Sequence, residues 1–250
     1  MEVNYFADNN IFVFYFSEYE IQMNAIATKL IQSTGSTEEI KGFVTEGIKV
    51  EYEGCTGKRN TERSFQLVSK LINSSNIKSH DIFKNKLDKA LPSDMPSETL
   101  VREEIKYKSK DTEIVNRQNL LFLLANVENE FRIKRKKIQD TFIFYDKNFL
   151  NTARSKCTFN LQAVKAIIDK HFKIEISVHE KDNTHLLDYI LCTSSMGKPT
   201  LFITTDNFRV KPVKNFNSTC INFSKEIQTL TNLNVKIEKL EEFIPKISTQ

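Results

Sequence analysis

Apolar positions recur along this chain with two different periods, and the change of period organises it. Tyr5-Phe6-Ala7 precede a polar cluster, Asp8-Asn9-Asn10, and a second apolar run, Ile11 to Phe16, follows it. That pattern predicts a short strand over about 3–7 that ends at Asp8, with a helix opening at Asn9 and Asn10, residue types favoured at helix starts. Ile21, Ala25, Ile26 and Leu30 carry helical spacing through 18–31, and Ser33-Thr34-Gly35-Ser36 ends it. Ile40 to Val44 forms a second strand candidate, and Thr45 can cap a helix holding Ile48, Val50, Glu51 and Tyr52. Helices are predicted over 62–72 and 79–91, with a break at 92–96. A long helix over 113–137 aligns Leu120, Leu121, Leu124, Val127 and Phe131 on one face. No internal repeat is visible.

The final hundred residues alternate between the two periods. Helices are predicted over 161–171, 183–193 and 223–231, and strands over 173–178, 199–204 and 235–240. Alternating strands and helices imply an α/β fold with a central, mostly parallel sheet flanked by helices, Rossmann-like in its layering. The strand ending at Asp8 has apolar flanks suited to burial on both faces, so it belongs in the interior of that sheet. The expected organisation is one α/β domain from 1–58 and 141–250, interrupted by a helical insertion over 59–140.

Composition narrows the function classes. With 250 residues, 40% hydrophobic and 27% charged, the chain is long enough for a sizeable core and too apolar for wholesale disorder. Its formal net charge of +4 permits an anionic partner without requiring one. The four cysteines, Cys55, Cys157, Cys192 and Cys220, form no CxxC pair, which argues against a zinc site and fits reduced thiols in a cytoplasm. The N-terminus carries Glu2 and Asp8 and no basic region of a signal peptide, and no apolar run approaches the ~20 residues that span a bilayer. Neither GxGxxG nor GxxxxGK[ST] occurs, and no serine or cysteine lies in a nucleophile elbow.

In open α/β sheets, sites form at the carboxyl ends of strands. Three acids end or closely follow predicted strands: Asp8, Asp182 and Asp206. Glu51 lies one or two turns into the helix after the second strand. Carboxylates brought together repel, and divalent cations relieve that repulsion. Hard ions such as Mg²⁺ and Mn²⁺ take oxygen ligands, and a pair of them supports phosphodiester cleavage by an activated water. Acids after strands also serve as plain helix caps, so position alone leaves both readings open.

Five segments also carry a resemblance. Asp8-Asn9-Asn10 after a hydrophobic strand looks like the Asp-Thr-Asn opening of PIN domains. Val44-Thr45-Glu46-Gly47-Ile48-Lys49-Val50-Glu51-Tyr52 is similar to that family's second block, and Asp182-Asn183-Thr184-His185-Leu186-Leu187 resembles the start of its third. Leu201-Phe202-Ile203-Thr204-Thr205-Asp206 resembles the fourth, a strand running into Thr-x-Asp. Val235 to Phe243, with its Glu241-Glu242-Phe243 tail, looks like the closing strand. The pieces arrive in the family's order and cover about 3–53 and 160–245.

The resemblance implies a metal-dependent endoribonuclease acting on single-stranded RNA. Asp8, Glu51, Asp182 and Asp206 would hold one or two Mg²⁺ or Mn²⁺ ions. Glu46 and Glu53 lie near Glu51, and Asp188, eighteen residues before Asp206, is a rival to Asp182 as the third acid. Asn10 would support Asp8, and Thr204 would orient Asp206 or a water. His185 reads as a structural hydrogen-bonder. His80, His171 and His179 show no metal-ligand spacing.

The densest basic run, Arg132-Ile133-Lys134-Arg135-Lys136-Lys137, offers salt-sensitive phosphate contacts, or else a solvated helix end. The rival functions are a non-catalytic PIN-like module for RNA or protein binding, and a toxin held by an inhibitory partner. A recruiting protein partner and a homodimer stay open. No membrane association is expected.

Overall fold

The computed structural model describes residues 2–35, 39–92, 95–112, 114–172, 180–206, 208, 210 and 215–247; for 180–183 and 246–247 it describes the backbone alone. The elements in chain order are β1 (Val3–Ala7), α1 (Asn9–Phe16), α2 (Ile21–Ser33), β2 (Ile40–Val44), α3 (Glu46–Thr56), α4 (Lys58–Ser74), α5 (His80–Ala90), α6 (Pro96–Ser109), α7 (Arg117–Thr141), β3 (Phe142–Phe144), α8 (Lys147–Lys156), α9 (Leu161–Phe172), α10 (Glu180–Met196), β4 (Thr200–Thr204), α11 (Phe216–Thr231), β5 (Val235–Lys239) and α12 (Leu240–Ile247).

The fold is α/β. Among the described residues, five strands form one sheet in the order β3-β2-β1-β4-β5, and every neighbouring pair is parallel. The Asp8 strand is therefore the central one, as its two apolar flanks require: Tyr5, Phe6 and Ala7 are fully buried. The expected strand over 173–178 lies outside the described residues. Among the described residues, the sheet also contains a strand that was not expected, Phe142–Phe144, directly after the 25-residue helix α7. A three-residue edge strand has too short a run to show a period-2 pattern, so local sequence does not announce it.

Seating β3 requires a bare position opposite it. Gly42 in β2 pairs with Phe142, and a Cβ on Gly42 would lie 2.5 Å from the Phe142 ring. Two helix starts carry side-chain caps. The Ser79 hydroxyl accepts the Ile82 N–H ahead of α5, and the Asp146 carboxylate accepts the Phe149 N–H ahead of α8.

The chain divides into two compact units. The first takes residues 1–11, 29–49 and 141–250, and the second takes 12–28 and 50–140. Phe6, Phe43, Tyr189, Phe202 and Phe223 fill the first unit's core around the sheet. The second unit is helical; Phe12, Phe16, Phe65, Val68, Phe83, Leu87, Val101, Leu120 and Phe131 are buried. It thus draws on α1 and the first part of α2 as well as on the predicted insertion. No helix among the described residues is long and apolar enough to cross a membrane.

Candidate functional site

The strand order runs from β1 through β2 to β3 on one side and through β4 to β5 on the other. The direction of winding reverses between β1 and β4, and in open α/β sheets the crevice at the carboxyl ends of such strands is where ligands bind. Asp8 and Asp206 follow those two strands.

A single hydroxyl joins the two acids. Thr204 Oγ1 donates to Asp8 Oδ2 at 2.7 Å and accepts the Asp206 N–H at 2.9 Å. Asp8 Oδ1 accepts the Asn9 N–H at 2.8 Å, and Asp206 Oδ1 accepts the Phe208 N–H at 2.9 Å. Asp8 is buried and Asp206 half-buried. Asn10 is half-buried in the first turn of α1.

The first residues after β1 and β2 leave oxygens without hydrogen-bond partners. Asn9 Oδ1, Thr45 Oγ1 and Glu46 Oε2 are enclosed and make no hydrogen bond among the described residues. The Lys49 ammonium stands 3.9 Å from Glu46 Oε2, at the outer limit of an ion pair. Enclosed oxygens with nothing to accept cost free energy, and they suit a hard cation, which takes oxygen ligands.

Lys239 ends β5 directly opposite Thr204 in the β4–β5 register. Its ammonium donates to the Thr205 carbonyl at 2.7 Å and lies 4.6 Å from the centre of the Phe216 ring. Burial holds its pKa below the usual lysine range, and the nearby carboxylates of Glu241, Asp206 and Asp8 oppose that shift.

The other predicted acids are placed differently. Asp188 on α10 is buried, and its Oδ1 accepts from Arg154 Nη2 of α8 at 3.2 Å. Burial raises its pKa, against the pull of Arg154 and then of His185. His185 is itself buried against α3: a Cβ on Gly47 would lie 2.9 Å from its Nδ1. Asp182 falls in the first turn of α10, with a side chain outside the described residues. Glu51 is half-buried on α3 and belongs to the second unit, whereas Glu46 on the same helix belongs to the first.

Among the described residues, the acids with ligand atoms all within 4.8 Å of one another are Glu18, Glu104 and Glu130, in the second unit. These three could hold a metal ion. Asp8, Asp188 and Asp206 do not form such a group.

The basic run on α7 is dispersed around the helix, because consecutive residues point about 100° apart. Lys134 Nζ turns to Glu18 at 2.7 Å. Arg135 donates to the Thr56 carbonyl and to Thr61 Oγ1. Arg132, Lys136 and Lys137 are exposed. Arg132, Arg135 and Lys136 line a groove of about 1110 Å³ with Lys58 and Arg59, but Glu53, Glu62, Glu128 and Asp140 line it too. The groove is therefore mixed in charge.

Sequence reading missed Lys239, Arg154 and the three glutamates. Lys239 had a findable signal, since it ends a strand as Asp8 nearly does. Glu104 had one as well: it lies three and four residues after the buried Val101 and Leu100, on the apolar face of α6. Arg154 had none. No family model, curated protein or solved structure matches this chain.

Proposed function

We propose that this chain is a metal-dependent hydrolase of single-stranded RNA, reacting at the carboxyl ends of β1, β2 and β4. The observation that carries the reading is the Asp8–Thr204–Asp206 linkage at the reversal of strand order. The resemblance of the segments around Asp8 and Asp206 to PIN-domain nucleases supports the substrate class.

The donor set fits Mg²⁺ or Mn²⁺. Both ions prefer oxygen ligands, and Mg²⁺ in particular needs only one or two carboxylates when waters and substrate phosphate complete its shell. Asp8 and Asp206 would hold it, and the Glu46, Asn9 and Thr45 oxygens left without hydrogen bonds follow the ends of β1 and β2. When bound, such an ion supplies Lewis acidity and an acidified water. The chain's own residues do the rest. Thr204 fixes the Asp8 carboxylate and the backbone of Asp206. The strand burial before each acid holds both positions without help from their charge. Lys239 offers a cation beside both carboxylates for an anionic oxygen of the substrate.

A second reading has one observation in its favour. Lys239 near Asp8 and Asp206, and Arg154 on Asp188, already supply cations to these acids, as a non-catalytic RNA-binding module would require.

The deciding experiment is cleavage of a generic single-stranded RNA with and without Mn²⁺ by wild type, Asp8→Asn and Asp206→Asn. The nuclease reading expects Mn²⁺-dependent cleavage that both substitutions abolish. RNA retention without cleavage under any condition would establish the binding module instead.

A further inference from the structure

Glu18, Glu104 and Glu130 come from three separate stretches of the second unit: the link between α1 and α2, the middle of α6 and the middle of α7. Two lysines accompany them. Lys108 Nζ reaches Glu18 Oε2 at 2.5 Å and Glu130 Oε2 at 3.2 Å. Lys134 Nζ reaches Glu18 Oε1 at 2.7 Å and lies 5.6 Å from the centre of the Tyr15 ring.

The bonding of the three carboxylates is unequal. Both oxygens of Glu18 have an ammonium, and so does one oxygen of Glu130. Glu104 has neither lysine within ion-pairing distance. Its Oε2 accepts the Glu18 N–H at 2.8 Å, and its Oε1 is enclosed with no hydrogen-bond partner. Glu104 is also the most deeply buried of the three, at 1% exposure. Three carboxylates against two ammoniums leave one surplus negative charge, and the unpartnered oxygen marks where it resides. A buried charge in that position is strongly unfavourable unless a cation or a proton meets it.

We propose that Glu18, Glu104 and Glu130 form a binding site for a hard divalent cation, in which the free Glu104 oxygen and the Glu130 carboxylate supply the first ligands. The donors are all carboxylate oxygens, the set that Mn²⁺, Ca²⁺ and Mg²⁺ take and that softer ions do not favour. Lys108 and Lys134 compete with the ion for the oxygens of Glu18 and Glu130. Each sits on a flexible four-carbon stem and keeps part of its side chain in solvent, so either can withdraw when the ion enters. The ion would tie α6 and α7 to the link before α2. The site is separate from the acids of the sheet and does not depend on the nuclease reading.

The test uses the full chain carrying Asp8→Asn and Asp206→Asn, so that binding at the sheet is weakened in every sample. Mn²⁺ binding is followed by titration calorimetry and by the spin-resonance signal of the free ion. The proposal expects one Mn²⁺ bound below about 1 mM, within the range of modest oxygen sites. Glu104→Gln and Glu130→Gln should each weaken it at least about tenfold, the loss typical even for partners outside the ligand shell. Lys134→Met should tighten it, because a competing ammonium is gone, which a mere salt-bridge network would not produce. Circular dichroism confirms that each variant is folded, and Glu130→Gln, at the more exposed ligand, guards against a misfolded Glu104→Gln. Absence of Mn²⁺ binding in the doubly substituted chain, or binding that both glutamate substitutions leave unchanged, overturns the proposal.

Discussion

Asp188 shows how one buried charge fixes local chemistry. Its side chain is 4% exposed and its ion-pair partner, Arg154, is 44% exposed, so the pair spans from core to solvent. Arg154→Met would leave the Asp188 carboxylate enclosed with its ion pair gone. That costs about 1–3 kcal/mol, toward the lower end because water screens the arginine. The pH dependence has a definite sign. Burial raises the folded pKa of Asp188 above its unfolded value. Its contribution to stability is therefore fully present below the unfolded pKa and is lost as pH rises through the folded one. Arg154 and His185 hold that rise in check, so Arg154→Met extends the window of loss to higher pH. Thermal unfolding of both proteins across the acid range checks this. Equal midpoints at every pH would make the Arg154 contact energetically silent.

At the scale of elements, the strands that fall within buried apolar runs were legible and the edge strand was not. β1 and β2 are where the apolar runs place them, and β4 and β5 lie within their predicted ranges. β1 and β4 are mostly apolar, and β5 alternates Val235 and Ile237 with charged residues; both patterns are set by neighbours in sequence. β3 depends on Gly42, a residue far earlier in the chain whose missing side chain makes room for Phe142. Gly42→Ala should therefore cost about 1–3 kcal/mol, the usual range for overpacking a filled site. Alanine's slightly better strand behaviour offsets little of that. Denaturant unfolding measures it, and a loss under about 0.5 kcal/mol, as for an ordinary surface change, would mean that β3 shifts freely. Helices divided in the same way. The long apolar stripe of α7 announced itself, whereas α6 and α8 did not. The helical pattern that opens at Asn9 and continues through 18–31 is two helices, α1 and α2, separated at residues 17–20.

For the whole molecule, the division into units departs from a simple insertion. The chain passes between units after residues 11, 28, 49 and 140, and the second unit includes 12–28. Within it, the rings of Phe16 and Phe131 lie 5.0 Å apart, and those of Phe12 and Tyr52 lie 5.3 Å apart. Replacing 50–140 with a short linker would strip Phe12 and Phe16 of these partners and expose both. Such a chain should bind a hydrophobic dye and lose its cooperative melt. A sharp melt without dye binding would instead show that the sheet unit stands alone.

What the sequence determined by itself was the alternation that makes an α/β fold, the central strand, and the location of Asp8 and Asp206 at strand ends. Those follow from periodicity over a few neighbouring residues, which the backbone geometry of strands and helices imposes directly. Only the tertiary structure decided the order β3-β2-β1-β4-β5, the hydroxyl that links Asp8 to Asp206, the pairing of Asp188 with Arg154, and the meeting of Glu18, Glu104 and Glu130. These contacts join residues whose separation along the chain carries no information about their distance in space. They are set when apolar faces pack, and the polar groups carried on those faces come together as a consequence.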